Sequence, residues 1–235
     1  DVGSTYFKVC QKSGISQYFR DFKKDIYDDL ITKCGNIFAN YKKEDIFICS
    51  SANGGLSTLI IGLTNSFSLK FAKNIAFNSG INIIDTILYS KIEESKAPSE
   101  LIDVVIVVGG IDGIGNVFDE KLFDYLKNVQ YSNIVYVGTK QDATFLSEQI
   151  PELKVLGNII TEKLHVNGGE LKEYLTNLYQ ADIVGKEDIK HLYEITANQI
   201  YSTPYIVNRS LPLIDANFEV VNPFIVVDIG GATTD

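Results

Sequence analysis

The chain has 235 residues, of which 45% are hydrophobic and 22% charged, and a net charge of −9. Such a length suits one large α/β domain or two small ones and buries enough surface for a sizeable core. The acidic balance argues against nucleic acid as a partner, because the densest basic spots, Lys23 with Lys24 and Lys42 with Lys43, sit beside Asp or Glu.

In chain order, residues 2–9 read as a strand with a turn at Gly3 and Ser4. Phe19, Phe22, Ile26, Leu30, Cys34 and Phe38 recur at helical spacing and predict one amphipathic helix. A short apolar strand at 46–49 runs into Ser50-Ser51-Ala52-Asn53-Gly54-Gly55, read as a strand-to-helix turn ahead of the apolar stretch 56–63. A polar break at 65–68, a further helix to about Asn78 and a strand near 81–88 follow. The run at 102–108 (IDVVIVV) has the length and apolarity of a buried strand and ends on Gly109-Gly110. Helices near 119–127 and 144–148 then alternate with strands at 134–137 and 155–160, which predicts a parallel sheet. The expected organisation is a first domain at 1–64, an inserted Rossmann-like α/β domain at 65–185, and a return to the first domain at 186–235. In that last part 186–200 reads as a helix with Ile189, Leu192, Tyr193, Thr196 and Ile200 on one stripe. Pro204 breaks the pattern, a second helix covers 205–214, and a strand covers 224–228.

Two short motifs carry chemistry. Asp1-Val2-Gly3-Ser4-Thr5-Tyr6-Phe7-Lys8 has the form DxGSTxxK, and residues 228–235 read DIGGATTD. Each sets a carboxylate at a strand end before a turn of glycines and hydroxyls. Glycine lets backbone N–H groups approach phosphate oxygens, and Ser and Thr add donors. Asp orients the waters that Mg²⁺ retains. A glycine-rich turn in an ordinary hairpin has a similar composition, so either motif alone leaves that reading open. Lys8 likewise reads either as a phosphate contact or as a solvated lysine on a strand edge.

Together the motifs resemble the phosphate-1 and phosphate-2 segments of the actin, Hsp70 and sugar-kinase superfamily. That resemblance implies an α/β fold of the ribonuclease H-like, actin/Hsp70 type, here its N-terminal half, with ATP and Mg²⁺ as cofactors. It assigns Asp1 and Asp228 to the hydrated metal, with Asp228 also the candidate catalytic group. Gly3, Ser4, Thr5, Lys8, Gly230, Gly231 and Thr233 would then line the phosphates. Thr203-Pro204 resembles the start of the first connecting helix of Hsp70-like proteins, where a Glu places the attacking water. Thr is a poor general base, so strong hydrolysis is not expected unless Gln199 or Asp228 substitutes.

The set DVGSTYFKV, CSSANGGL (49–56), VVGGIDGIGN (107–116), STPYIVNR (202–209) and DIGGATTD is similar, over the whole chain, to the MutL/GlmL family associated with glutamate mutase. The stretch between Cys10 and Asp25 reads as too short for the two further strands that fold requires. The resemblance implies an ATP-binding, chaperone-like reactivating factor for an adenosylcobalamin-dependent aminomutase, whose mutase subunits are the partners. It also puts the adenosine pocket beyond Asp235, so that this stretch alone binds nucleotide weakly. Alternatives are a small-molecule kinase of the same superfamily, with Asp85, Asp103 or Asp112 as its catalytic carboxylate, or an actin-like scaffold protein.

Other features point elsewhere only weakly. Cys10, Cys34 and Cys49 lack CxxC spacing, which argues against a disulfide frame or zinc site and fits a reducing cytoplasm. No apolar run reaches the roughly 18 residues of a membrane span, and no signal-peptide pattern is read. The Gly109–Asn116 turn is either a scaffold connection or an anion site. The absence of Met, and the Asp at either end of the string, predict that residues are missing and that spacings are lower bounds.

Overall fold

The computed structural model describes residues 1–50, 55–77, 79, 81–113, 115, 117–185 and 190–218. The chain divides into two compact units, Asp1–Gly55 with Thr176–Asp235, and Leu56–Leu175. The fold is mixed α/β, with a parallel five-stranded sheet in the second unit.

In the first unit, β1 (Tyr6–Gln11) and β2 (Gly14–Phe19) form an antiparallel hairpin. Between Cys10 and Asp25 only β2 is added whole, because β1 already begins at Tyr6; a two-residue turn before Gly14, whose φ is 137°, closes the hairpin. The predicted helix is shortened for the same reason. Phe19 and Phe22 are exposed, and α1 (Ile26–Phe38) starts only after Asp25, whose side chain accepts the N–H groups of Tyr27 and Asp28 as an N-cap. From there Ile26, Leu30 and Cys34 keep the apolar spacing and are buried.

Val2 bridges antiparallel to Phe7 and parallel to Ser50. Ser50 ends β3 (Ile48–Ser50), which pairs in parallel with β9 (Ile200–Ser202). Across this unit the order is therefore β2, β1, the Val2 segment, β3, β9. The stripe expected on a helix at 186–200 is not helical over its described part. A short 3-10 turn covers His191–Glu194, Asn198 takes a left-handed φ of 59°, and Ile200 belongs to β9. Leu192, Thr196 and Ile200 are still buried, through three different backbone conformations. Helix α6 (Thr203–Asn217) begins immediately after β9, with Ser202 as its N-cap. The expected strand at 224–228 lies outside the described residues.

The second unit contains β4 (Leu56–Gly62), β5 (Ile81–Leu88), β6 (Ile102–Val108), β7 (Tyr131–Val137) and β8 (Lys154–Leu156), all parallel in the order β5-β4-β6-β7-β8. The stretch 56–63, expected to follow a strand-to-helix turn, instead carries the interior strand β4. Leu59, Ile60 and Ile61 are fully buried because strands flank them on both sides and side chains alternate to both sheet faces. The other described α-helices are α2 (Lys70–Phe77), α3 (Glu120–Leu126), α4 (Lys140–Gln149) and α5 (Gly169–Gly185). On one sheet face Leu59, Ile61, Val105, Val107, Ile134 and Tyr136 form a single core with Leu122 and Leu126 of α3 and Leu146 of α4. No described helix is long and apolar enough to cross a membrane.

Candidate phosphate turn

The turn at residues 3–5 is built by strand pairing on both of its flanks. The Asp1 nitrogen donates to Lys8 O at 2.8 Å and Lys8 N–H returns a bond to Asp1 O at 3.0 Å. Val2 N–H donates to Cys49 O at 2.6 Å, which ties the segment to β3. Inside the turn Gly3 N–H donates to Tyr6 O at 3.0 Å, and a Cβ on Gly3 would meet that same oxygen at 3.0 Å. A side chain at residue 3 would therefore crowd the turn.

Asp1 sits at the mouth of this arrangement. Its Oδ2 is 3.5 Å from Lys8 Nζ, while its Oδ1 is buried with no hydrogen-bond partner among the described residues. A carboxylate oxygen held that way is costly unless something else satisfies it. A hydrated divalent cation has the right chemistry, since its waters donate and its charge offsets the carboxylate. The N–H groups of Ser4 and Thr5 also donate to no described residue. The donor set present on this side thus fits a phosphate tail with its cation.

Arg20 is the residue that sequence reasoning missed. Its Nη1 donates to Gly3 O at 3.2 Å and Ser4 O at 3.4 Å, and its backbone N–H donates to Thr5 O at 2.9 Å. Reading one helix from Phe19 to Phe38 placed Arg20 on that helix and hid its position just beyond β2. A cavity of about 950 Å³ in the same unit is lined by Asp1 and Lys8 and by Leu30, Ile37, Phe38 and Phe47. Of the motif, Asp1, Val2 and Lys8 line it, while Gly3, Ser4 and Thr5 do not.

The second motif, with Asp228, Gly230, Gly231 and Thr233, lies outside the described residues, as does most of the 50–55 turn. Thr203 starts α6, and its Oγ1 is buried without a hydrogen-bond partner among the described residues. Gln199 Nε2 donates to Glu44 O at 2.8 Å, so this amide straps a loop. The two described kinase candidates with side-chain partners are Asp103, bonded to Ser57, and Asp112, whose Oδ1 accepts from Asn158 Nδ2 at 3.2 Å. Asp85 Oδ1 accepts from the neighbouring Thr86 N–H at 2.7 Å.

In the second unit the strand order reverses between β4 and β6, the kind of point where open α/β sheets hold ligands. Gly62, Gly109 and Gly138 are nevertheless taken up by packing. A Cβ on Gly109 or Gly138 would run into the buried Tyr136 hydroxyl, and one on Gly62 would meet Leu69 at 2.8 Å. Close approach of backbone at Gly109 and Gly138, and of side chains at Gly62, accounts for these three without an anion.

The comparisons agree with the motifs. The family described as MutL protein matches residues 1–235. The chain belongs to the MutL protein family. It is 26% identical over 264 residues to Protein MutL of Clostridium tetanomorphum, covering 100% of this chain. It spans 56% of that relative's length.

Proposed function

We propose that this chain forms part of an ATP-binding, chaperone-like reactivating factor for an adenosylcobalamin-dependent aminomutase of the glutamate or ornithine mutase type. The observation that carries the nucleotide half of this reading is the buried Oδ1 of Asp1, without a partner among the described residues, beside two turn amides that donate to none of them. The strand order β2, β1, Val2 segment, β3, β9, followed by a helix, supports the actin/Hsp70-type assignment. Family membership supports the mutase half.

On this reading Asp1 and Asp228 hold water molecules of Mg²⁺, and Gly3, Ser4, Thr5, Gly230, Gly231 and Thr233 line the β- and γ-phosphates. Lys8 supplies a positive charge beside them. ATP, when bound, supplies a charged tail whose loss on hydrolysis biases a clamp between two states. Thr203 in place of a carboxylate makes that hydrolysis slow.

Calorimetry on the full-length protein with ATP and Mg²⁺, together with capture of the mutase subunits, tests the proposal. Micromolar or tighter binding, weakened by Asp1→Asn and by Asp228→Asn, is the expected result. A full-length protein that binds no ATP, or one that retains no mutase, overturns the corresponding half.

A further inference from the structure

Resting on the phosphate-turn reading above, we propose that Arg20 is the positioning residue that presents the Ser4 and Thr5 amides to a phosphate. Three consecutive carbonyls of the turn, those of Gly3, Ser4 and Thr5, all accept from Arg20, the first two from Nη1 and the third from its backbone N–H. A trans peptide directs its C=O and N–H to opposite sides. Fixing Gly3 O and Ser4 O toward the guanidinium therefore turns Ser4 N–H and Thr5 N–H away from it, side by side. Two adjacent outward amides make an anion nest.

The guanidinium is itself held in place. It lies 5.7 Å from the Phe7 ring centroid and 5.8 Å from that of Phe22. Phe19 meets Phe22 edge to face at 5.7 Å and Tyr6 at 5.3 Å, so an aromatic row braces the side chain. Exposed Phe19 and Phe22, unexplained as core, acquire a purpose as this brace. Arg20 Nε is buried with no partner among the described residues, so the side chain forgoes a bond there while Nη1 stays on the turn. A lysine has a shorter, more hydrated head and no planar face to lie against the rings.

The test compares ATP and AMP binding by calorimetry in the full-length protein, wild type against Arg20→Met and Arg20→Lys, with thermal melting followed in parallel. The β- and γ-phosphates are absent from AMP, so an effect on the turn appears in the ATP-to-AMP affinity ratio, which loosened packing alone would leave alone. Arg20→Met is expected to lower that ratio about tenfold, the scale of charge-assisted bonds to the turn. Arg20→Lys falls between, at roughly threefold. If Arg20→Met does not fold, the ratio for Arg20→Lys decides. An unchanged ratio in the folded variant, with wild type binding ATP, overturns the role of Arg20 and leaves the phosphate turn standing. Wild type that binds no ATP removes both.

Discussion

Asp103 and Ser57 lock together across the start of β6 and β4. Asp103 Oδ2 accepts from both Ser57 N–H and Ser57 Oγ at 2.8 Å, and Asp103 N–H donates back to Ser57 Oγ at 3.0 Å. The pair stitches the two central strands of the parallel sheet at the end opposite their glycine turns. A carboxylate so engaged serves the sheet, which argues against Asp103 as a phosphoryl-transfer base.

Ser57→Ala should therefore destabilise the second unit without touching nucleotide binding. Losing the hydroxyl leaves Asp103 short of one donor, and such a change costs about 1–2 kcal/mol. Denaturant melts of the variant, read beside ATP calorimetry, check both halves. Intact stability would show that the clamp is dispensable.

The Gly138→Ala variant tests the packing account of the glycines after β6 and β7. A Cβ there would run into the Tyr136 hydroxyl and approach the Gly109 Cα to 2.6 Å. Backbone cannot retreat as a side-chain tip can, so a loss of about 2–3 kcal/mol is expected. Adding Tyr136→Phe should recover only part of it, since the Gly109 backbone still blocks the methyl. Full recovery in the double variant would assign the clash to the hydroxyl alone.

Asp29 makes stability depend on acid. It is 1% exposed, ion-paired to Lys33 at 2.6 Å, and accepts Asp21 N–H at 2.8 Å. Burial pushes its carboxyl upward, but the Lys33 and Asp21 hydrogen bonds and the Lys33 and Lys24 charges outweigh this and hold it below its usual value. A folded pKa below the unfolded one means stabilisation that is present above about pH 4 and lost as pH falls through the folded value. Melting temperature should drop on acidification below pH 4 more steeply in wild type than in Asp29→Asn. The amide variant should also be less stable at neutral pH, by about 2 kcal/mol. Parallel acid profiles for the two proteins would exclude Asp29 as a source of the acid sensitivity.

The second unit was the more legible part of the chain, for a physical reason. Residues 81–88, an edge strand, are legible because their isoleucines are β-branched, and 102–108 because a strand buried on both faces is a continuous apolar run ended by glycine. Residues 56–62 carry the same signal, but the glycine pair before them suggested a helix start and β4 was misread. Helix α5 was overlooked although Leu171, Leu175 and Tyr179 recur every four residues and are buried. In the first unit the hairpin was obscured because β2 is mostly exposed, with Ile15 70% and Phe19 57% accessible, so no alternation marked it. The candidate turn itself, Asp1, Gly3, Ser4, Thr5 and Lys8, stands out in the sequence by its order. Arg20 does not, because its contacts depend on a hairpin bringing residue 20 back beside residue 3.

Gln180, on α5, has a side chain that imitates main chain. Its Nε2 donates to Ile200 O at 2.7 Å and its Oε1 accepts Ser202 N–H at 2.8 Å, the two bonds a neighbouring strand would make along that side of β9. One amide thereby plugs a ladder that would otherwise invite a foreign segment to dock and extend it. Gln180→Ala would strip both bonds from β9 at once, and light scattering of that variant is expected to rise as the freed groups of one copy pair with another.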